Sequence, residues 1–435
     1  MESRMAMRKK RWFIYALLFT LLAISMLDRI NMSVAGGSIA KEMELSPTAL
    51  GYLFSSFLWI YILCLLPAGA ITDRLGTRKA VAGAVGLWSV AQICSGFAPT
   101  LLLLLLSRLG LGAFESFTNP GANSVIREWA PRSERGLASA VWISGSLAGP
   151  SAGALLVAWL VSDFGWRISF VVTGLIGLIW VGIWLLVFRR PEAASWLGAE
   201  ERATILAERD TPSADNGPSL GYRGLLASPT MWGLFLTQGC LTYTAYFFLT
   251  WLPGYMQMAR GMTIMRSGIY TALPYGLAII LCIALSHICD RLLSPAGQRG
   301  GKRRYAVAFG SLATAAVLAM PFVDSMPAIV TLLTIALTFS GASQSWNFAL
   351  TNDLLRTPAD VGRAFAFLTL GGNSFGILAP IVTGYLVSGT GSFTIPFIVC
   401  GVLALLGAIV ALLGARMPIG EQAQSELAGT AVGVV

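Results

Sequence analysis

Long apolar runs recur along the whole of this 435-residue chain, and they constrain its fold more than any other feature. No water is available inside a bilayer to satisfy backbone N–H and C=O groups, so an apolar segment of about 20 residues crosses it as an α-helix. Interruptions by Gly, Pro and charge clusters delimit twelve such spans. Six lie at residues 12–37, 48–72, 79–97, 100–126, 136–160 and 166–188, and six more at 229–258, 265–289, 304–323, 327–353, 362–388 and 392–415. Several exceed the minimum length, so tilted helices or interfacial ends are expected. Only 12% of the residues are charged, against about 25% in an average soluble protein, which excludes a soluble enzyme and a disordered chain. The expected fold class is an all-α membrane protein of twelve transmembrane helices.

Charge placement sets the orientation. Four of the 30 Lys and Arg residues (Lys41, Arg167, Arg260, Arg266) fall on one side of the spans, Arg29 and Arg108 fall inside them, and the other 24 fall on the opposite side. Lys and Arg are retained on the cytoplasmic side, so both termini are expected to be cytoplasmic. The net charge of +9 therefore points to the inner face of a membrane as partner and not to nucleic acid. The amino-terminal Arg8, Lys9, Lys10 and Arg11 followed by an apolar stretch resemble a secretory signal, but the stretch is too long and carries Asp28 and Arg29, so it reads as the first membrane helix. Residues 1–188 form the first expected half, 189–228 a charged, partly helical, water-exposed linker, 229–415 the second half and 416–435 a cytoplasmic tail, disordered from Gly420 onward. Cys64, Cys94, Cys240, Cys282, Cys289 and Cys400 are scattered without a CxxC pair, and His287 is the sole histidine. No metal site and no cofactor are expected from that spacing.

The halves echo one another, as in carriers built by parallel repetition. Asp73-Arg74-Leu75-Gly76-Thr77-Arg78-Lys79 follows the second span, and Cys289-Asp290-Arg291 with Gly301-Lys302-Arg303-Arg304 follows the eighth. Glu134-Arg135-Gly136 opens the fifth helix and Gly362-Arg363-Ala364 the eleventh. The fifth then carries Gly145, Gly149, Pro150 and Gly153, and the eleventh Gly372, Gly376, Pro380 and Gly384. Such glycines admit a second backbone at close range; tight packing and a sliding surface both use this feature.

Asp28, Arg29, Arg108 and Glu115 lie within spans, where an ionisable side chain costs about 3 kcal/mol on insertion scales. Adjacent on one helix, Asp28 and Arg29 leave it about 100° apart, so one can face a cavity while the other pairs with a neighbouring helix. Arg108 and Glu115 are two turns apart on one face, about 10 Å, which is too far for a direct ion pair. A structural charge network is one reading of the four. Functional use is the other, because buried ion pairs are poor stabilisers, guanidinium groups bind carboxylates bidentately, and a carboxyl beside an anion site can exchange protons with occupancy. In the second half Tyr243, Tyr246, Phe247, Thr250 and Trp251 follow helical spacing, joined by Gln344, Ser345, Trp346, Asn347 and Asn373. Stacking on a sugar-like ring and plain helix packing both fit that set.

The Asp73-Arg74-Leu75-Gly76-x-Arg78-Lys79 loop, preceded by Gly69, resembles the signature between helices two and three of the major facilitator superfamily, and with the echo at Asp290-Arg291 the resemblance covers nearly the whole chain. Within it, Asp28-Arg29-x-Asn31 and Arg108-x-x-x-Gly112-x-x-Glu115 with Pro120 resemble the anion:cation symporters. That group includes bacterial carriers of aldonates, hexuronates, glucarate and aromatic carboxylates, and relatives of the vesicular glutamate and lysosomal sialic acid carriers. The resemblance implies that Asp28 and Glu115 carry coupling protons and that Arg29 and Arg108 concern the anion and the coupling network. Tyr61 is similar in placement to a substrate-contacting tyrosine, and Met26 departs from the tyrosine many sugar-acid members carry there. Asp73, Arg74 and Arg78, echoed by Asp290 and Arg291, would latch the cytoplasmic side; anchoring helix ends is the plainer role for such charges.

The function expected is therefore import of a small organic anion, most of all a sugar acid (an aldonate, hexuronate or aldarate), with protons across the cell inner membrane, by a monomer that rocks its two halves. The substrate-binding set would be Arg29, Tyr61, Arg108, Tyr243, Tyr246, Trp251, Trp346, Asn347 and Asn373. The alternatives are a symporter of aromatic or other organic acids, an exporter of drugs or metabolites of the same superfamily, and a non-transporting membrane sensor. An enzyme is not expected, since no Ser-His, Cys-His or metal constellation is present.

Overall fold

The computed structural model describes residues 10–209, 219–355 and 360–419; Arg8, Lys9 and the tail from Gly420 lie outside them. Within these the protein is helical, and each of the twelve expected spans falls on helix. Ten helices are long and apolar enough to cross a membrane. The remaining two long ones are more polar, with Arg78, Lys79 and Gln92 in one and a run of Thr, Gln and Tyr in the other.

The chain divides into two compact units, Met1–Met43 with Ser56–Pro212 and Glu44–Ser55 with Ser213–Val435. Helices α1 (Trp12–Glu42), α2 (Pro47–Leu75), α3 (Thr77–Gly96), α4 (Leu101–Glu115), α5 (Thr118–Trp129), α6 (Arg135–Phe164), α7 (Trp166–Val187) and α8 (Ala199–Arg209) come first. They are followed by α9 (Gly221–Ala227), α10 (Pro229–Met258), α11 (Ile264–Leu292), α12 (Pro295–Arg299), α13 (Arg303–Thr314), α14 (Met326–Leu354), α15 (Val361–Thr390) and α16 (Thr394–Gly414). The first turns of α2 group with the second unit, where a Cβ on Gly51 would meet the Pro380 carbonyl oxygen of α15 at 2.5 Å.

Two expected spans are not single α-helices. The fourth breaks after Glu115 because Pro120 has no N–H to continue the ladder and its ring crowds the preceding turn. Local hydroxyls cover the carbonyls this frees: Ser116 Oγ donates to Ala113 O and Thr118 Oγ1 to Glu115 O, both at 2.7 Å. Non-helical backbone at membrane depth persists only when satisfied in this way. The ninth span, which contains Pro321, finishes as a 3-10 helix over Ala315–Phe322.

Each unit is built around one glycine-lined helix pair. A Cβ on Gly149 of α6 would meet Ala23 O and the Met26 Cβ of α1 at 2.5 Å, so only glycine lets α6 lie this close to the helix bearing Asp28 and Arg29. In the second unit Gly371 of α15 lies against Phe235 O of α10 in the same manner, at 2.7 Å.

The acid preceding each unit's glycine-lined helix also fixes the chain segment that leads into that unit. Glu134 accepts from Arg11 Nη2 at 2.7 Å, ahead of α1. Asp360, fully buried, accepts from Ser219 Oγ at 2.7 Å and Leu220 N at 2.6 Å, ahead of α10. The linker is partly docked as well as solvated. Trp196 stacks on Trp129 at 5.1 Å, Glu201 of α8 accepts from Lys10 N and Arg11 N at 3.2 Å, and Glu208 accepts from Ser133.

Candidate functional site

The four intramembrane charges of the first unit converge, and the backbone decides how. Arg29 leaves α1 toward α4, where its Nε donates to Glu115 Oε1 at 3.3 Å and Oε2 at 3.4 Å. Ser25, one turn earlier on α1, donates its hydroxyl to the same carboxylate, so α1 contacts Glu115 twice. The α4 break leaves Glu115 as the last residue of its helix, fully buried. Arg29 also lies with its guanidinium 4.3 Å from the centre of the Phe57 ring and 5.3 Å from that of Tyr61, an arrangement favourable by up to about 2 kcal/mol when desolvated. Gly112 makes room for this, because a Cβ there would collide with the Phe57 carbonyl.

Asp28, about 100° further round α1, takes the other direction, toward Trp88 of α3 and Thr173 of α7. It is fully buried and neither carboxyl oxygen has a hydrogen-bond partner among the described residues. Beside it Asn31 Nδ2 and Gln92 Nε2 both donate to Thr173 Oγ1 at 3.0 Å, and Ser169 Oγ donates to Asn31 Oδ1 at 2.8 Å. Arg108 is 2% exposed, lies 5.8 Å from the Phe57 ring centre, and leaves Nε and Nη1 without hydrogen-bond partners among the described residues, with Glu115 and Asp28 as its electrostatic neighbours. Two cations and two carboxyls thus form one buried group with spare donors on one guanidinium and spare acceptors on one carboxyl. Tyr61 joins through its hydroxyl, which accepts from Asn119 Nδ2 at 3.0 Å.

The second unit carries a network with no ionised group. Gln344 Oε1 of α14 accepts from Gln238 Nε2 at 3.4 Å and Thr242 Oγ1 at 3.2 Å of α10. Asn347 donates Nδ2 to Gln238 Oε1 at 3.1 Å and Leu234 O at 3.0 Å, and its Oδ1 has no partner among the described residues. Trp346 is 5% exposed and its indole N–H has no partner among the described residues; the same holds for the Tyr243 hydroxyl. Trp251 is packed into the unit, with its indole N–H on Pro380 O at 3.2 Å and its ring edge-on to Phe54 at 5.3 Å. Tyr246 and Asn373 are half-buried, on α10 and α15.

The loop charges occupy unlike settings. Asp73, Arg74 and Arg291 are exposed. Arg78 donates to the Leu185 carbonyl, and Trp184 Nε1 donates back to Arg78 O at 3.0 Å, which fixes the start of α3 on α7. Asp290 pairs with Arg303 at 2.6 Å, and Arg303 pairs also with Asp353 at 2.8 Å.

Sequence reasoning did not single out Ser25, Phe57, Asn119 and Thr173 in the first unit, Gln238 in the second, or Arg303 and Asp353 as an ion-pair centre. Gln238 was findable by the rule that exposed the charges, since an amide inside an apolar run also needs a partner. Phe57 and Ser25 carry no signal of their own, being ordinary residues of an apolar helix.

Membrane-length helices enclosing mutually compensating charges define a polytopic transport protein. Comparison with known proteins supplies the family: the model of the Major Facilitator Superfamily matches residues 17–356 and 292–432. The chain is 29% identical to a D-galactonate transporter of Escherichia coli O6:H1, over 92% of this chain and 94% of that one. It is 30% identical to a probable galactarate/D-glucarate transporter of Bacillus subtilis, over 94% and 92%. Among solved structures it is similar to a bacterial homologue of the human lysosomal transporter Spinster, in an inward-facing and occupied conformation, with a TM-score of 0.75, 18% identity and coverage of 95% of this chain and 98% of that one; this last likeness shows the fold alone. The chain belongs to the Major Facilitator Superfamily and is a transporter, not an enzyme.

Proposed function

We propose that this protein imports a sugar acid, an aldonate, hexuronate or aldarate, together with protons across the cell inner membrane by alternating access of its two units. The relatives named for galactonate and for galactarate and glucarate support the substrate class. The observation that carries the reading is the buried group of Arg29, Arg108, Asp28 and Glu115, in which Arg108 keeps Nε and Nη1 for an incoming carboxylate.

The chemistry follows from charge balance. Burying an unpaired ion is far costlier than burying a neutral acid. With Arg29 on Glu115 the carboxylate is compensated. An anion that draws Arg29 or Arg108 toward itself removes that compensation, and a proton on Glu115 restores it. Asp28, whose carboxyl oxygens lack donors among the described residues, is the second proton carrier on the same argument. Tyr61, in ring contact with Arg29, is a further proposed contact for the anion. In the second unit Tyr243, Tyr246, Trp251, Trp346, Asn347 and Asn373 are the proposed contacts for ring and hydroxyls, with Asn347 the strongest because its Oδ1 has no partner among the described residues. Asp73, Arg74, Arg78, Asp290 and Arg291 would serve the cytoplasmic gate. The two six-helix halves, 1–188 and 229–415, would act as the moving bodies, and the protein would work as a monomer.

Uptake of labelled aldonates, uronates, aldarates and aromatic acids into proteoliposomes, with and without an inward proton gradient, tests this. Gradient-driven accumulation of a sugar acid is expected, with Glu115→Gln abolishing accumulation and retaining exchange. Accumulation indifferent to the gradient, or unchanged in Glu115→Gln, would overturn the coupling.

A further inference from the structure

The second unit carries a group of cations that the transport chemistry does not use. At the start of α13, Arg303 is neutralised by Asp290 and Asp353. Its neighbours are not: among the described residues no ion pair includes Lys302, Arg304 or Arg416. In the first unit, by contrast, Arg11 is paired with Glu134 and Arg209 with Glu192.

Of the three, Arg304 lies directly on a phenol, and Lys302 and Arg416 lie within electrostatic reach of it. Arg304 donates Nη2 to the Tyr305 hydroxyl at 3.1 Å and stacks 4.9 Å from that ring, with its Nε buried and without a partner among the described residues. Arg416 is held at the end of α16 by its Nε bond to Leu412 O at 2.9 Å. Lys302 is exposed, and all three act electrostatically on Tyr305. Two guanidinium groups already fixed by protein contacts give up little freedom when they meet a phosphate.

Apolar tracks run from this cluster along both helices. Tyr305, Phe309 and Leu312, at i, i+4 and i+7, are 53%, 60% and 55% exposed on α13. Leu406, Ile409 and Leu413 lie at i, i+3 and i+7 on α16, 46%, 51% and 59% exposed, and end three residues before Arg416. The two helices pack together through Ser311 Oγ on Ala404 O at 2.7 Å. A basic cluster capping an exposed apolar surface on the side that holds most of the Lys and Arg matches a lipid with an anionic head and hydrocarbon tails.

We propose that Lys302, Arg304 and Arg416 bind the phosphate of an anionic phospholipid whose acyl chains lie along the exposed faces of α13 and α16. The test reconstitutes the full chain in bilayers of equal phosphatidylcholine and phosphatidylglycerol, extracts it in mild detergent, and counts retained lipids by native mass spectrometry. Wild type is expected to retain phosphatidylglycerol in preference. The Lys302→Gln/Arg304→Gln/Arg416→Gln protein should retain at least fivefold less, while Arg132→Gln/Arg223→Gln, with cations removed elsewhere on the same side, should match wild type. Equal retention of both lipids by wild type, undiminished retention by the triple variant, or an equal loss in the control would overturn the site. Should the triple variant fail to fold, Arg304→Gln and Arg416→Gln singly are each expected to lower retention, and no change in either would overturn it. Displacement of the lipid from wild type by excess inorganic phosphate would also overturn it, by making the site one for free phosphate.

Discussion

The interiors of the two units solve the same problem in different ways. Each has a polar network buried among apolar helices, centred on the helix that packs against its glycine-lined partner. The first uses ions, with Arg29 on Glu115 and Arg108 between Glu115 and Asp28; the second uses amides and hydroxyls, with Gln238, Thr242, Gln344 and Asn347. Removing one member of a buried ion set strands a charge, whereas removing one member of an amide set strands a dipole. On the function proposed above, the first unit would respond to protons and anions, and the second would read uncharged groups without responding to pH.

The largest expected effect comes from breaking the ion pair on one side. Arg29→Gln leaves Glu115 buried beside Ser25 without its cation, and should destabilise the purified carrier by about 3–5 kcal/mol, read as a fall in melting temperature. Arg29→Gln/Glu115→Gln should recover most of that loss. A double variant no more stable than Arg29→Gln would mean that packing of Arg29 on Phe57 matters more than charge, and would remove the contrast between the units.

Asn347→Leu is the matching break in the second unit. It removes two hydrogen bonds and takes from Gln238 Oε1 the donor that Asn347 supplies, while Leu234 O keeps its helical bond, at a cost of about 1–3 kcal/mol that should not vary between acidic and neutral pH. A pH-dependent loss would show that the second network is ionically tied after all.

Backbone approach sharpens the comparison at smaller scale. Gly149→Ala places a methyl 2.5 Å from Ala23 O and the Met26 Cβ, and an overpacked helix pair of this kind loses about 1–3 kcal/mol. Gly372→Ala meets first the Thr242 hydroxyl, at 3.0 Å, a side chain that can yield by giving up its bond to Gln344, and should melt within about 1 kcal/mol of wild type. Equal losses would indicate that α10 and α15 are as tightly registered as α1 and α6.

The smallest effect is expected at the linker. Glu208 accepts from Ser133 N and Oγ at 3.1 and 3.0 Å, and these bonds hold its carboxyl below the usual glutamate range. A lowered value in the folded state means the anchorage is present above the ordinary value of about 4.3 and is lost as pH falls through the lowered one. Pepsin cleavage within α8 should accelerate as pH falls below about 4, and Ser133→Ala should move that acceleration to higher pH. Cleavage insensitive to Ser133→Ala would mean that Glu201 and the Trp196 stack alone dock the linker.

Much of the fold was legible in the sequence, because lipid imposes a length and a composition on each helix. The breaks were less so. The fourth span reads as one apolar run, and Pro120 alone does not reveal that the ladder ends at Glu115, since prolines at 150, 253, 274 and 380 lie inside continuous helices. What distinguishes Pro120 is that Ser116 and Thr118 offer hydroxyls to the carbonyls the break exposes. In the site, the charged residues announced themselves through their cost in lipid, whereas Ser25, Phe57 and Thr173 acquire a role only from what they touch.

The sequence by itself therefore determined which residues must be partnered: a repeated set of membrane helices and, within the first repeat, two arginines and two acids that hydrocarbon cannot leave alone. Only the tertiary structure decided the partners. Adjacent residues on α1 point about 100° apart, so either Asp28 or Arg29 could have met α4. The choice depends on the rotation of α1 about its own axis, which its close contact with α6 at Gly149 fixes and no local sequence rule encodes.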